Sequence, residues 1–411
     1  MKIHLLAGIF LVLLSSCASK QIVNPAHLER LYEEVSIGDT RLGSIWIYCE
    51  APDYHLVADE DEGFTCVDDV ARALVFYCRQ YAVRPDTATL QKIRSMSKFV
   101  LYMQAENGYF YNFMFHNGQI NNTHQNSVPV PAFWSWRAFW ALSELNLVET
   151  AELAELQLRS RSAMERLIGN ARSLCAETSG YEWFDGIKVP SCIARTGGDQ
   201  AGVLLIALSN YYQKYPSDKV KTLMLDMGSL LLETQYGNAD TAPYFAFFSW
   251  QNYWHAWGNA QAYSLLRVGR QLDEQRFIQA ALNEVRHFYP YVLQQGFLHE
   301  MKAGASGENE GIKLEIKQFP QIAYNVRAMI FAALEAYDLT GDASFLETAR
   351  QLARWYSGDN PARRRMYDPK SGRTFDGIGS PEEINLNSGA ESTIEALLSL
   401  QALERTKKQK R

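Results

Sequence analysis

The chain has 411 residues, 47% hydrophobic and 21% charged, with 40 Lys and Arg against 46 Asp and Glu for a formal net charge of −6. That composition belongs to a globular protein and excludes a disordered, collagen-like or disulfide-packed chain. It also argues against a nucleic-acid partner, which needs clustered Lys and Arg; the basic run at 407–411 reads as a solvated end.

The N-terminus reads as a targeting segment. Met1-Lys2 precedes an apolar run, Leu5 to Leu14, too short to span a bilayer as a mature helix. It ends in Leu14-Ser15-Ser16-Cys17, which resembles a bacterial lipobox. Residues 1–16 are therefore expected to be a lipoprotein signal peptide, Cys17 the lipidated residue, 17–25 a tether and 26–411 a single domain. A plain secretory signal with an incidental Cys is the alternative. Lipidation would anchor the protein to a membrane. The residues after Cys17 are Ala18-Ser19-Lys20 without an acidic run, which favours a periplasm-facing place in the bacterial cell envelope over surface exposure.

Beyond the tether the chain reads as helical hairpins. Helices are expected at 69–83 and 87–104, 131–147 and 149–173, 199–214 and 217–236, 254–271 and 273–294, and 319–339 and 343–357. Breaks such as Arg84-Pro85-Asp86 and Thr340-Gly341-Asp342 separate the members of a pair. Helices at 26–37 and 389–405 would make a sixth pair by closing a ring. In each pair the first helix is apolar nearly all round and the second has a charged face, so first helices would form an inner ring and second helices an outer one. The expected fold class is all-α, an (α/α)6 toroid, with an irregular helical array as the alternative. The long segments lie before the inner helices, and several, such as 108–113 and 180–184, alternate as short β-hairpins do. Six such connections would gather at one mouth, where long loops in a compact domain are commonly functional.

Polar and aromatic residues fall where that mouth would be. Candidate catalytic carboxyls are Asp68, Asp69, Asp199, Glu391, Asp376 and Glu300, with Glu182 a further possibility. Candidate substrate-binding residues are Arg72, Trp134, Gln200, Trp254, His255, Trp257, Tyr324 and Asn387. For any one Asp or Ser at a helix start, N-capping is an equal explanation; the adjacent pair Asp68-Asp69 exceeds what a cap needs. Carboxylates, amides and aromatic faces suit a sugar. Glycoside cleavage generally needs two carboxyls in different environments. Asp68, Asp69 and Asp199, at helix N-termini, suit a base or nucleophile; Glu300, Asp376, Glu182 or a desolvated Glu391 suit the acid. The mature cysteines Cys49, Cys66, Cys78, Cys175 and Cys192 match no zinc spacing, and neither metal nor cofactor is expected. Cys175 and Cys192 could pair in an oxidising compartment; buried free thiols are the alternative.

The stretches Cys66-Val67-Asp68-Asp69-Val70-Ala71-Arg72-Ala73-Leu74 and Asn385-Leu386-Asn387-Ser388-Gly389-Ala390-Glu391-Ser392-Thr393 resemble the six-hairpin glycosidase superfamily. Similar stretches occur in helical domains fused to some bacterial glycosyltransferases. The resemblance implies the (α/α)6 fold and an oligosaccharide or polysaccharide fragment as partner. It does not imply one reaction, because the superfamily holds hydrolases, epimerases and lyases. The leading expectation is a glycoside hydrolase. The alternatives are a non-catalytic sugar-binding or scaffold protein, and an epimerase or lyase using His255, His124 or His299, with Arg72, Arg195 or Arg327 toward a uronide.

Overall fold

The computed structural model describes residues 22–175, 178–306 and 311–408; the signal peptide and Cys17 lie outside the described residues. Fourteen helices are described: α1 (Ala26–Leu31), α2 (Val67–Val83), α3 (Thr87–Tyr102), α4 (Phe133–Asn146), α5 (Ala154–Leu174), α6 (Ser191–Thr196), α7 (Gly198–Lys214), α8 (Asp218–Leu232), α9 (Gln261–Leu272), α10 (Gln275–Asn283), α11 (Tyr289–Gln294), α12 (Tyr324–Thr340), α13 (Ala343–Ala353) and α14 (Ala390–Lys408). Helices α2, α4, α7, α9, α12 and α14 pack on one another in that order, and α14 returns to α2. Around them α3, α5, α8, α10 and α13 each pack on the inner helix that precedes them, and α1 packs on α14. This is an (α/α)6 toroid.

Burial explains which helices lie inside. Every residue of α4 from Ser135 to Asn146 is buried, and so is α12 from Tyr324 to Leu334. Apolar surface on all sides needs neighbours on all sides. Outer α3 and α8 keep one buried stripe. Outer helices also carry their own side-chain caps: Asp86 accepts the Thr89 N–H at 2.9 Å, and Asp342 accepts that of Ser344 at 2.9 Å. The N-cap residues of α2, α4, α7, α9 and α12 make no side-chain cap.

Three expected helix boundaries are corrected. The helix expected over 26–37 ends at Leu31, and Tyr32–Ile37 is a strand paired with Thr40–Ile45. Its burial alternates residue by residue, and Gly38 (φ +56°) makes the turn. The helix expected from 254 begins at Gln261; Tyr253–His255 is instead an edge strand on the hairpin Glu300–Ser306/Gly311–Lys317. The helix expected from 319 begins at Tyr324; Gln321–Ile322 is instead a short strand paired with Gly377–Ile378. Tyr181–Phe184 forms a hairpin with Ile187–Pro190, as its alternation indicates. The 108–113 segment does not pair with itself; Phe113–Met114 joins Thr65–Cys66 just before α2. Cys175 and Cys192 form a disulfide with Cα atoms 5.2 Å apart, tying the end of α5 to α6. Cys49, Cys66 and Cys78 are buried free thiols.

Candidate active site

A cavity of about 530 Å3 opens where the inner helices begin. Asp68, Asp69 and Arg72 of α2, Trp134 of α4, and Asp376 with Glu391 at the start of α14 line it. Arg72 and Glu391 are 319 positions apart in the chain, and closure of the ring brings them into contact.

Arg72 organises the floor. Its Nη2 donates to Asp69 Oδ1 at 2.6 Å. Its Nη1 donates to Glu395 Oε1 at 2.9 Å and Glu391 Oε2 at 3.1 Å, and its Nε to the Asp68 carbonyl at 3.1 Å. Glu395 also accepts Arg327 Nε at 2.5 Å. Arg137 Nη1 pairs with Asp68 Oδ2 at 2.8 Å, while its Nη2 donates to the Tyr324 hydroxyl at 2.6 Å. The Tyr324 ring sits 5.3 Å from the Arg72 guanidinium, 5.2 Å from that of Arg137 and 5.3 Å from that of Arg327. Three cations thus meet around one aromatic ring. Four carboxyls surround them, which answers the desolvation of so many buried charges.

The carboxyls differ in environment. Burial pushes Asp69 above the usual carboxylate range, against the pull of Arg72 and the Cys66 thiol. Burial also raises Glu391; Arg72 opposes the shift and the Asp69 charge adds to it. The Glu391 side chain keeps 42% of its surface accessible while lining the cavity. Asp376 is raised by burial, opposed by the Ser392 hydroxyl, which donates to it at 2.6 Å, and by the Gly389 N–H at 2.9 Å. Asp376 thereby secures the start of α14, whereas Asp68 and Asp69 cap nothing.

A second polar cluster lies apart from this cavity. Asp199 Oδ2 and His255 Nε2 are 3.0 Å apart and both side chains are buried. His255 Nδ1 bonds the Trp257 carbonyl at 2.6 Å, and its ring stacks on Trp257 at 3.8 Å, with His299 4.7 Å beyond. A side chain at Gly258, in the loop after His255, would meet the Tyr324 hydroxyl and the ring of Phe133, which lines the cavity, so that loop packs directly against the cavity wall. Gln200 is half-buried beside Asp199, with Oε1 unpartnered among the described residues. Trp254 is fully buried, edge-on to Phe288. Glu300 pairs with Lys317 at 2.6 Å on the hairpin. Asn387 accepts the Ala51 N–H at 3.0 Å, and Glu182 faces Arg195 at 3.4 Å. The fold therefore gathers Asp68, Asp69, Arg72, Trp134, Asp376 and Glu391 on one cavity, with Tyr324 in contact just behind. Asp199, Gln200, His255 and Trp257 lie in the second cluster. Trp254 belongs to the core, Glu300 is the cross-strand partner of His255 at the edge of the second cluster, and the Asn387 carbonyl accepts the Asp376 N–H at 2.9 Å beside the cavity.

Sequence reasoning passed over Arg137, Glu395, Asn112 and Glu62. Arg137 and Glu395 lie on helix faces that read as plain interior, and a charged residue within an otherwise apolar inner helix was the signal available. Asn112 and Glu62 lie on loops without a motif.

No protein-family model and no curated sequence matches the chain. Solved structures do. A sugar epimerase from a ruminal bacterium is 14% identical, with a TM-score of 0.65 over 94% of this chain and 96% of that one. A cellobiose 2-epimerase from Bacillus thermoamylovorans is 14% identical, with a TM-score of 0.65 over 92% and 95%. A GH76 α-mannanase of Bacteroides thetaiotaomicron is 9% identical, with a TM-score of 0.55 over 85% and 89%. The chain shares the (α/α)6 toroid fold of these structures.

Proposed function

We propose that this protein is a lipid-anchored glycoside hydrolase of the bacterial cell envelope, acting on an oligosaccharide at the toroid mouth. One observation carries the reading: Asp68, Asp69, Asp376 and Glu391 converge on a single cavity beside Trp134, and no histidine is among its described lining residues. Carboxyls in unlike environments are what glycoside cleavage requires. Glu391, raised by burial and open to the cavity, serves as the acid that protonates the departing glycosidic oxygen. Asp68, paired with Arg137, carries the negative charge that a base or nucleophile needs. Asp69 holds Arg72, and Arg72 holds Glu391. Trp134 offers a flat apolar face for a pyranose ring.

An oligosaccharide panel assayed for new reducing ends tests this. Glu391→Gln and Asp68→Asn are each expected to lower kcat by about 100-fold or more. Unchanged turnover in both variants rejects the assignment. A second reading, a sugar epimerase, is favoured by the likeness to the two epimerase structures and by His255 and His299 flanking Trp257. Products of unchanged length with an altered ring configuration would support it.

For the anchor, the Cys175–Cys192 disulfide supports export, since disulfides persist in oxidising compartments. Cys17→Ala is expected to shift the protein from the membrane to the soluble fraction and to abolish incorporation of labelled palmitate.

A further inference from the structure

We propose that the glycan this site accepts carries free, protonated amino groups; this rests on the hydrolase reading and names its substrate. The charge of the cavity points there. Its described lining has five carboxyls, Glu62, Asp68, Asp69, Asp376 and Glu391, the last the protonated acid of the proposed reaction, against one guanidinium, Arg72. Arg72 has little capacity to spare, with four of its five N–H donors committed to Asp69, Glu391, Glu395 and the Asp68 carbonyl. Arg137 and Arg327, just behind, are likewise engaged by Asp68, Tyr324 and Glu395. A uronide would meet like charge here, and unpaired like charges select strongly against a ligand.

The acidic surface continues outward. Tyr48 lines both the cavity and a neighbouring groove of about 450 Å3 whose described lining includes Glu50, Asp59, Glu60 and Asp61 and no Lys or Arg. This shelf is firmly built. Asp59 Oδ1 accepts the N–H groups of Asp61 at 2.8 Å and Glu62 at 2.9 Å, and Asn121 Nδ2 donates to the Asp61 carbonyl at 2.6 Å. Gly63 (φ +118°) then passes too close to the Met114 carbonyl for any Cβ.

Two groups in the cavity itself await a ligand. Asp68 Oδ1 is buried without a hydrogen-bond partner among the described residues, although Oδ2 is paired. Buried polar atoms are rarely left so, and this one is an acceptor. Asn112 is only 4% exposed and lines the cavity. Its Oδ1 accepts the Asp68 N–H at 3.1 Å, and its side chain makes no other hydrogen bond among the described residues. An ammonium group brings three donors and no acceptor, which suits Asp68 Oδ1 and the carboxylate shelf, while the Asn112 amide can donate to a neighbouring sugar hydroxyl.

Calorimetry on the full-length Glu391→Gln protein reads binding without turnover. The probes are a fully deacetylated chito-oligosaccharide, its N-acetylated counterpart, a cello-oligosaccharide and an oligogalacturonide. The deacetylated oligomer is expected to bind about tenfold or more tighter than the others at about 50 mM salt, and the preference should shrink at about 0.5 M salt. Combining D59N, E60Q and D61N should reduce the preference about threefold or more. Equal or tighter binding of the neutral or uronide oligomers, or a preference indifferent to salt, overturns the proposal. Cleavage of a neutral glycan that depends on Asp68 and Glu391, without amine preference, would sink this inference and leave the hydrolase reading standing. Tight, salt-sensitive binding of the deacetylated oligomer with no cleavage of any glycan would do the reverse.

Discussion

Arg72 touches carboxyls from both ends of the chain, so it joins the proposed chemistry to stability. Removing one partner of a buried ion pair leaves the others uncompensated, at a cost of about 3–5 kcal/mol. Arg72→Ala is expected to lower stability by that amount in a denaturant titration, because Asp69 and Glu395 lose a cation while nearly fully buried. A loss below about 0.5 kcal/mol would show the network to be decorative. Glu284 makes a separate, pH-dependent prediction. It is fully buried, accepts the Phe247 N–H at 2.8 Å, and burial raises it to about 8. The folded chain therefore holds a proton that the unfolded chain releases near its ordinary value of 4.5. Stability from this group is full below that value and declines as pH climbs toward about 8, at roughly 1.4 kcal/mol per pH unit within the window. Glu284→Gln should flatten that slope when unfolding is followed from pH 5 to 8. The residues legible in the sequence were those with a local oddity: the doubled Asp68-Asp69 and the acidic Glu391 beside Gly389-Ala390. Asn112 carried no such mark, because its role depends on a cavity assembled from distant segments.

At the level of the elements, the hairpin pattern was readable because helical periodicity and capping are local. Thr87–Tyr102 and Ala343–Ala353 begin at Asp86 and Asp342, the caps the sequence offers. Each failure is a strand pairing. Trp254, His255 and Trp257 have helix-compatible spacing, but Tyr253–His255 finds its strand partner at Glu300–Lys302, some 47 residues on, which no local window sees. Tyr32–Ile37 pairs with Thr40–Ile45 across the turn at Gly38, and Thr40–Ile45 packs on α3. The disulfide closes a 17-residue separation between α5 and α6, a loop worth about 3 kcal/mol by the chain-entropy argument. Cys192→Ser is expected to cost about 2–3 kcal/mol in thermal or denaturant unfolding, and the wild type should lose the same amount on reduction. No change on reduction would show that the bond adds nothing to the fold.

The whole molecule turns six similar hairpins into two unlike mouths. At one, the N-termini of the inner helices bring together Asp376, which secures α14, with Asp68, Asp69 and Glu391, and their positive dipole ends favour negative charge. At the other, Arg79 pairs with Glu144 and Arg270 with Glu335, cations placed where helix C-termini leave carbonyls exposed. The ring closes only when α14 meets α2, so the site exists only in the complete toroid. That dependence is why the fold class was legible and the site only in part: which helices form a ring follows from pattern, but which rim residues share one cavity follows from the angle at which each loop enters. The most direct test is a crystal structure of the Glu391→Gln protein with an oligosaccharide bound. The sugar is expected to lie against Trp134, with one glycosidic oxygen beside position 391 and Asp68 on the opposite side of the ring. A sugar seated instead between His255 and His299, with the Asp68 cavity empty, would contradict the account.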